Sequence, residues 1–350
     1  MANRINPTRR EFVAGLLGAT ALSGCTLSER EVFDGGLAGG GAPKDALPTP
    51  EGGIGGTGIT GADVTGLGVV GVLTDFGSLR VNGLRLETPA DAEVLDAFGP
   101  IPLNRLAVGH SLTVEADVED GALLARRIVL TQPLIGRVDA IEAGGASLRL
   151  LGVRVEAAQA ARGPIAVGDR IAVSGLWRGV EVVASRLDPA PEGEPDVIAG
   201  ALARPGATGL KDIGGARAAL PRNWSTRAVR TRYVSAVGEW IPEGDGAGVL
   251  NAESARYGRF AADASFSDLS VEGYLEPSAR APFFEVSGLG HSFDAAAQLR
   301  PFAGRRTLFA GPYDGDFRAA SAAALPESQE ARRALLRSDR ALAAQPVRRR

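Results

Sequence analysis

Two blocks of the sequence occur more than once, and this repetition limits the fold more than any other feature. The segment SLRVNGLRLE at 78–87 is matched by SLRLLGVRVE at 147–156, with Leu and Val exchanged at several positions. LAVGHSLTV at 106–114 is matched in the same way by IAVGDRIAV at 165–173. Two matched blocks in the same order indicate that one structural unit is repeated along the chain.

Two further copies are predicted from similar blocks nearer the C-terminus. Gly288 and Gly304 are 16 residues apart, as are Gly152 and Gly168 in the second copy. A more degenerate copy falls at 197–257, and the first copy carries an insertion around PADAEVLDAFGPIPLNR. The predicted segments are 66–132, 133–190, 196–258 and 268–323.

Each copy shows the alternation of apolar and polar residues that is typical of half-buried strands. SLRVNGLRLE and HSLTVEADV alternate in this way, and turns rich in Gly and Asp separate such runs. About five short strands per segment predict a small antiparallel β-barrel similar to an OB-fold, because closure removes exposed strand edges. We therefore expect an all-β protein made of tandem small barrels.

Helical patterning is expected only in the region 326–350. Its sequence PESQEARRALLRSDRALAAQ is rich in Glu, Ala, Arg and Leu, which are good helix formers. One face of this helix would consist of its apolar side chains, Ala331, Ala334, Leu335 and Leu342. A basic tail of three arginines ends the chain.

The repeated pattern resembles an uncharacterised family of bacterial domains found in envelope and secreted proteins. That pattern is S-L-x-V-x-G-x-x-V, followed by V-G-D-x-V-x-V-x-G and A-x-x-I. The second segment keeps it best, at SLRLLGVRV, VGDRIAVSG and ASRL, whereas the first segment has His110 where the second has Asp169. The fourth segment, with Arg305 there, matches less well. The resemblance implies a small β fold and no known activity.

The N-terminus resembles an export signal. TRREFVA matches the twin-arginine consensus Ser/Thr-Arg-Arg-x-Phe-Leu-Lys at Arg9, Arg10 and Phe12. The apolar run that follows ends at Leu22 and is too short to span a bilayer, since a spanning helix takes about 20 residues. We therefore predict a removable signal peptide at 1–24.

The only cysteine of the chain, Cys25, directly follows Leu22, Ser23 and Gly24. This order resembles the lipobox of bacterial lipoproteins, in which the cysteine thiol is acylated and the peptide is cut before it. The resemblance implies a lipid anchor at Cys25, held by several acyl chains. Thr26 stands where many lipoproteins of the inner membrane have aspartate. The outer membrane, periplasmic face, is therefore expected, with the inner membrane as the alternative.

Residues 25–65 are rich in Gly and Pro and predict a flexible tether between the anchor and the β segments. The stretch EGGIGGTGITG contains G-x-G-x-x-G, but a dinucleotide site needs a strand before that loop and a helix after it. Neither is predicted here. The formal net charge of −3 argues against binding to nucleic acid, which needs a basic surface. No cofactor is expected.

No catalytic or metal-binding constellation is predicted. A Ser-His-Asp triad can be written from Ser292, His291 and Asp294 in GLGHSFD. Triads, however, are assembled across a fold and not from sequence neighbours. We expect His291 and His110 to be hydrogen-bonded structural residues. The acidic turn that ends at Asp316 offers oxygen ligands for calcium, but Asp-Gly is equally typical of a hairpin turn.

Trp177 and Trp240 are the candidate binding residues, because each follows a glycine-containing strand close to a loop. An exposed indole there would stack on a sugar or contact a protein partner, and burial between segments is the alternative. We predict a non-enzymatic, periplasm-facing membrane-anchored lipoprotein. It would act as a binding or scaffolding module for an envelope protein or a polysaccharide. The alternative is a cofactor- or metal-carrying envelope enzyme that is exported folded through the twin-arginine route.

Overall fold

The computed structural model describes most of the chain from residue 66 onward. Its described residues are 66–160, 163–203, 210–221, 232–244, 246–278, 284–291, 293–294, 297–337 and 345–346. The predicted signal peptide, Cys25 and the tether lie outside this part. The described part is mostly strand, with two small closed β-barrels and one short helix, which confirms the predicted all-β fold.

The first closed barrel is built from the first predicted segment. Its strands are β1 (Gly66–Asp75), β2 (Leu79–Val81), β3 (Leu84–Glu87), β4 (Glu93–Leu95), β5 (Ser111–Glu119) and β6 (Ala122–Leu130). The hydrogen-bonded order is β2-β3-β6-β5-β1, and pairing of β2 with β1 closes the ring. Strand β4 is added outside the ring, where it runs parallel to β6.

The second closed barrel has the same order of pairing. Its strands are β7 (Leu134–Ile141), β8 (Ser147–Leu150), β9 (Val153–Glu156), β10 (Arg170–Arg178) and β11 (Glu181–Pro189). The order is β10-β11-β9-β8-β7, and pairing of β10 with β7 closes the ring. In both barrels one pair is parallel, β3 with β6 and β9 with β11.

The third predicted segment forms a similar but less completely paired ring. Its strands are β12 (Asp196–Ala201), β13 (Lys211–Ile213), β14 (Ala216–Ala219), β15 (Tyr233–Gly244) and β16 (Ala247–Tyr257). They pair in the order β12-β15-β16-β14-β13, again with one parallel pair, β14 with β16. A single bridge between Leu202 and Ile213 links the two ends of this order.

The fourth predicted segment supplies shorter strands. They are β17 (Asp268–Pro277), β18 (Phe284–Val286), β19 (Phe293–Asp294), β20 (Arg306–Pro312), β21 (Phe317–Arg318) and β22 (Ser321–Ala324), and β23 (Gln345–Pro346) follows the helix. Strand β17 pairs antiparallel with β18 and β20, and β20 pairs with β22. Strands β19 and β21 form a separate parallel pair.

Tight hairpin turns with left-handed backbone explain the glycines that the repeated blocks share. Asn82 and Gly83 connect β2 to β3 with φ values of 56° and 81°, and Leu151 and Gly152 connect β8 to β9 with 51° and 75°. Two consecutive residues with positive φ match the twist of the flanking strands, and glycine adopts this conformation at little cost.

The four segments associate in pairs through their first strands. Strand β1 pairs in parallel with β17, so the first and fourth segments share one sheet. Strand β7 pairs antiparallel with β12, so the second and third segments share another. The sequence left open whether the segments pack together, and they do so within one compact unit that covers all the described residues. The first and fourth segments therefore share a sheet although they are far apart in the sequence.

The C-terminal helix, α1 (Gln329–Arg337), lies within the stretch that the sequence predicts to be helical. Arg332 and Leu336 are its buried residues, whereas Ala331 and Ala334 are exposed. Of the predicted apolar face, Leu335 packs against a small apolar cluster with Leu308 and Leu336, and Leu342 lies outside the described residues. The buried side also includes Arg332, which forms an ion pair in the interior that helical patterning of apolar residues cannot reveal. At the end of the predicted helical stretch, Gln345 lies in β23 and pairs with β22. No helix among the described residues is long and apolar enough to cross a membrane.

Candidate functional site

His110 caps the turn that leads into β5. The backbone N–H of Ala107 donates a hydrogen bond to Nδ1 of His110, with 3.0 Å between the nitrogens. In the second barrel the N–H of Ala166 donates to Oδ2 of Asp169 at 2.7 Å. An imidazole nitrogen and a carboxylate oxygen therefore do the same work at matching positions, as expected for a hydrogen-bonded structural histidine.

The imidazole also links the two barrels. Nε2 of His110 lies 2.9 Å from Oδ2 of Asp188 in β11. Since Nδ1 accepts the turn hydrogen bond, these contacts assign the proton to Nε2, which donates to the carboxylate. Arg186 holds the same carboxylate through Nε at 2.8 Å. Burial alone would raise the pKa of Asp188, but hydrogen bonds from His110 and Arg186 hold that pKa below its ordinary value.

The insertion of the first segment presents an aromatic side chain on a tight turn. Oδ1 of Asp96 accepts hydrogen bonds from the N–H groups of Phe98 and Gly99, at 2.8 and 3.0 Å. The N–H of Asp96 donates to the carbonyl of Gly99, and Leu95 and Pro100 form a bridge at the base of the turn. The Phe98 ring is 40% exposed at the tip of this hydrogen-bonded loop.

Between the insertion and the second barrel lies an open groove of about 490 Å³, which we call the insertion groove. Ligand sites in proteins commonly have volumes of roughly 300–1,000 Å³. The insertion and the following turn supply one wall, and β11 with the residues after it supplies the other. The lining residues are Asp96, Phe98, Ile101, Asn104, Arg105, Leu106, Ala107, His110, Leu130, Gln132, Ile135, Ala172, Arg186, Asp188, Pro189, Ala190, Pro191 and Glu194.

Several polar side chains of the insertion groove have no partner within the described part of the chain. Asn104 and Gln132 form no side-chain hydrogen bond to another described residue, and Arg105 and Glu194 form no ion pair there. By contrast, the carboxylate of Asp188 accepts hydrogen bonds from both His110 and Arg186. The groove therefore offers amide, guanidinium and carboxylate groups that no other described residue engages, beside apolar side chains such as Ile101, Leu130 and Ile135.

Residues 68–129, which form most of the first barrel, match the family model described as a domain of unknown function, DUF5666. The first barrel is a DUF5666 domain. This agrees with the expected resemblance to a small β family without a known activity. No curated protein and no solved structure matches the chain. The DUF5666 domain contains the insertion and His110, so the insertion groove lies where this domain meets the second barrel.

Trp177, one of the two candidate binding tryptophans, is buried with 3% of its surface exposed. Its indole N–H donates to the carbonyl of Ala199 at 2.9 Å. The ring lies in a slot whose walls are Gly200, Gly214 and Gly288, where an added Cβ would approach the indole to within 2.8 Å or less. Trp177 is therefore too buried to bind a ligand at the surface, because residues of three segments surround its side chain.

Trp240, the other candidate, is partly buried against the interface of the second and third segments. The ring packs over Gly152 and Gly248, and its backbone N–H donates to Oδ2 of Asp196 at 2.8 Å. Asp196 in turn accepts from Arg170 at 2.6 Å. Trp240 lies outside the insertion groove, and a binding role for its remaining exposed edge stays a prediction.

His291 lies in the aromatic part of the fourth segment, away from the insertion groove. Its Nδ1 is 2.9 Å from the hydroxyl of Tyr313, and the rings of Phe260 and Tyr313 pack against it. Burial, together with the nearby charge of Arg259, lowers the pKa of His291 to about 4. Ser292 and the side chain of Asp294 lie outside the described part. The described contacts are those of a buried structural histidine.

The acidic hairpin turns are occupied by arginine side chains. Asp314, two residues before Asp316, forms an ion pair with Arg318, and Asp117 pairs with Arg126 at 2.8 Å. Within the described ranges, no group of three or more His, Cys, Asp or Glu residues is placed to hold a metal ion. Arginine pairing and turn chemistry account for these carboxylates.

A central cavity between the segments is too small for an organic ligand. Its volume is about 20 Å³, which is room for about one water molecule. Trp177 and Leu176 of the second segment, Val271 of the fourth and Gly71 of the first line it. The insertion groove is therefore the better candidate for binding.

Sequence reasoning missed the partners that define this groove. Asp188 and Phe98 carry no local signal of function, since both belong to stretches that read as strand or insertion. The insertion itself was visible as an interruption of the repeat, and His110 as a departure from the aspartate of the second copy. Arg9, Arg10, Phe12, Leu22, Ser23, Gly24 and Cys25 lie outside the described residues, so their roles stay predictions.

Proposed function

We propose that this protein is a non-enzymatic lipoprotein that holds an envelope component in the insertion groove. Cys25, at the end of a lipobox, would anchor it to the periplasmic face of the outer membrane, and residues up to 65 would tether the β body. The order of twin-arginine motif, apolar run and lipobox supports this address. The binding role is supported by the insertion groove, which is the single observation that carries the proposal.

We further infer that the four segments are copies of one β unit. The recurring pairing order supports this, and so does a register shift at the same place in three strand pairs. It falls at Glu115/Ala116 in β5, at Ser174/Gly175 in β10 and at Val237/Gly238 in β15. Such bulges bend a strand and help a small sheet to close.

Compared with the second segment, the first has an elaborated connection before its fourth ring strand. That connection contains β4, the Phe98 turn and a single helical turn at Leu103–Arg105. In the second barrel the equivalent connection runs from Glu156 to Arg170 with no strand described in it. A scaffold of similar barrels with one specialised loop is a common way to add binding to a fold, because loops vary without disturbing the core.

The test of the anchor is mass spectrometry of the full protein, extracted gently from membranes of the cells that make it. We expect a mass excess of lipid size on the peptide that begins at Cys25, and loss of membrane retention in Cys25→Ser. An unmodified cysteine in the membrane fraction would contradict the anchor.

The same preparation decides between binding protein and enzyme. Native spectra of the intact protein report any metal or small organic group that it retains tightly. A binding module is expected to carry no stoichiometric cofactor through extraction. A retained cofactor at one equivalent per chain would contradict the proposal and support the cofactor-carrying alternative, since folding before twin-arginine export allows a cofactor to be loaded in the cytoplasm.

A further inference from the structure

We propose that the ligand of the insertion groove is a short segment of a neutral, hydroxyl-rich glycan. This inference rests on the proposed binding function and names the chemistry of its partner. Four features of the groove point to this ligand: polar groups that no described residue engages, an exposed aromatic ring, two prolines in one wall, and the balance of charge.

The free polar groups include both hydrogen-bond donors and acceptors. Asn104 and Gln132 each offer an amide that donates and accepts, Arg105 offers donors only, and Glu194 offers acceptors only. Sugar hydroxyls both donate and accept. A row of hydroxyl groups can therefore satisfy this mixed set, whereas an apolar ligand would leave the amides unpaired at a cost of about 1–3 kcal/mol for each buried group.

Phe98 supplies a flat apolar surface at the mouth of the groove. Hydrogen bonds to Asp96 hold the backbone of this turn, so little backbone freedom is lost when a ligand covers the ring. The face of a sugar ring that carries C–H groups packs well on such a surface. An exposed aromatic ring on a rigid loop beside free amides is the combination that a glycan needs.

An extended peptide fits the second wall less well. Peptides that add a strand to a sheet form hydrogen bonds with backbone N–H and C=O groups of its edge. Pro189 and Pro191 lie in this wall and have no N–H to donate. Pro189 also already pairs with Ile171 inside the barrel. Side chains are therefore better placed than backbone groups to recognise a ligand at these two positions.

Charge favours a neutral glycan over an acidic one. Arg186 is committed to Asp188, which leaves Arg105 as the one cation in the described lining without an ion pair. Asp96 and Glu194 also lie in the groove and form no ion pair with a described residue. The net negative charge of this lining would repel a polyanionic chain.

The test is binding of the full protein to an array of oligosaccharides, with a peptide library as the second arm. The glycan probes are the neutral tetrasaccharides cellotetraose, maltotetraose, mannotetraose and tetra-N-acetylchitotetraose, and the acidic probe is tetragalacturonate. We expect at least one neutral probe to bind and the acidic probe not to bind. Phe98→Ala should weaken binding about tenfold or more, as loss of an aromatic contact predicts.

Phe76→Ala is the matched control, because Phe76 is 39% exposed in the same barrel and does not line the insertion groove. Its affinity should stay within twofold of the wild type, about the scatter of such measurements. Gln132→Ala provides a second groove variant and should also weaken binding. Equal losses in Phe98→Ala and Phe76→Ala would overturn the assignment.

The two arms separate this inference from the proposed function. Binding of library peptides that Phe98→Ala abolishes, without binding of any glycan, would overturn the glycan assignment and leave the binding function in place. Binding of the acidic probe in preference to the neutral ones would overturn the charge argument. Binding of neither class would overturn the glycan assignment and count against the groove as a binding site.

Discussion

At the scale of single residues, His110 and Asp169 show how different side chains at matching positions of the first two barrels make different contacts. Asp169 and His110 both cap a turn by accepting a backbone N–H. The imidazole is longer and has a second nitrogen, and this nitrogen reaches Asp188 in the neighbouring barrel. The residue that caps this turn in the first barrel therefore also links the two barrels.

Substitution of His110 separates these two contributions. His110→Asn keeps a turn cap but loses the link, and we expect a loss of roughly 1–3 kcal/mol in the free energy of unfolding, as for a hydrogen bond to a charged group. His110→Asp should cost more, since it places a second carboxylate near Asp188. Urea unfolding at pH 7 measures both. If His110→Asp were as stable as the wild type, the link would contribute nothing.

His291 predicts a specific acid sensitivity. The pKa of His291 is lowered to about 4 in the folded protein, against about 6.5 in the unfolded chain. The unfolded state therefore takes up the proton first as the pH falls. The stability that the neutral imidazole contributes is complete above pH 6.5 and is lost progressively down to pH 4, by about 3 kcal/mol in total.

The measurement is the free energy of unfolding at several pH values between 7 and 4. His291→Gln should flatten the dependence relative to the wild type, because glutamine does not titrate. Tyr313→Phe is the matched control, since it removes the hydroxyl beside Nδ1 and leaves the imidazole buried. The same pH dependence in His291→Gln and in the wild type would show that other groups cause it.

At the scale of elements, the helix α1 is fastened by a buried cluster of charges. Oε1 of Glu272 in β17 lies 2.6 Å from Nε of Arg306 and 3.2 Å from Nε of Arg332. Oε2 of Glu272 accepts the N–H of Val72 at 3.0 Å. Burial alone would raise the pKa of Glu272, but the two guanidinium groups hold it below its ordinary value. One carboxylate thus joins β1, β17, β20 and α1.

Loss of that carboxylate should be severe. Glu272→Gln leaves two buried guanidinium groups without their counter-charge, and we expect a loss of roughly 3–5 kcal/mol in the free energy of unfolding. Glu276→Gln makes the same substitution four residues along β17, at a side chain with no ion pair to a described residue, and should change stability by less than about 0.5 kcal/mol. Thermal or urea unfolding compares them. Similar effects in the two variants would exclude the cluster as the anchor of α1.

The elements also show what the sequence can and cannot predict. The strands followed from alternation and from Asn-Gly and Leu-Gly turns, which are local signals. The buried face of α1 did not follow from local signals. Arg332 is buried because it pairs with Glu272, which precedes the helix by more than fifty residues. The Trp177 slot depends on Gly200, Gly214 and Gly288, whose meeting is a result of the tertiary fold.

At the scale of the whole molecule, the four segments form two joined pairs. The pairing of β1 with β17 brings the last segment back to the first, and the other two segments share the second sheet. Repetition in the sequence predicted similar units but could not predict which edges would meet. The insertion groove exists because the second barrel faces the insertion of the first, through Asp188 and His110.

The most direct test of the central claim is photo-crosslinking in intact cells that produce the full-length protein. A photoreactive residue replaces Pro191, an exposed residue of the groove wall, or, as the control, Val180, which is 71% exposed on the second barrel outside the groove. The proposal predicts an adduct with an envelope component from position 191, lost on Phe98→Ala, and none from position 180. Adducts of equal yield from both positions, or none from position 191, would contradict a binding role for the groove.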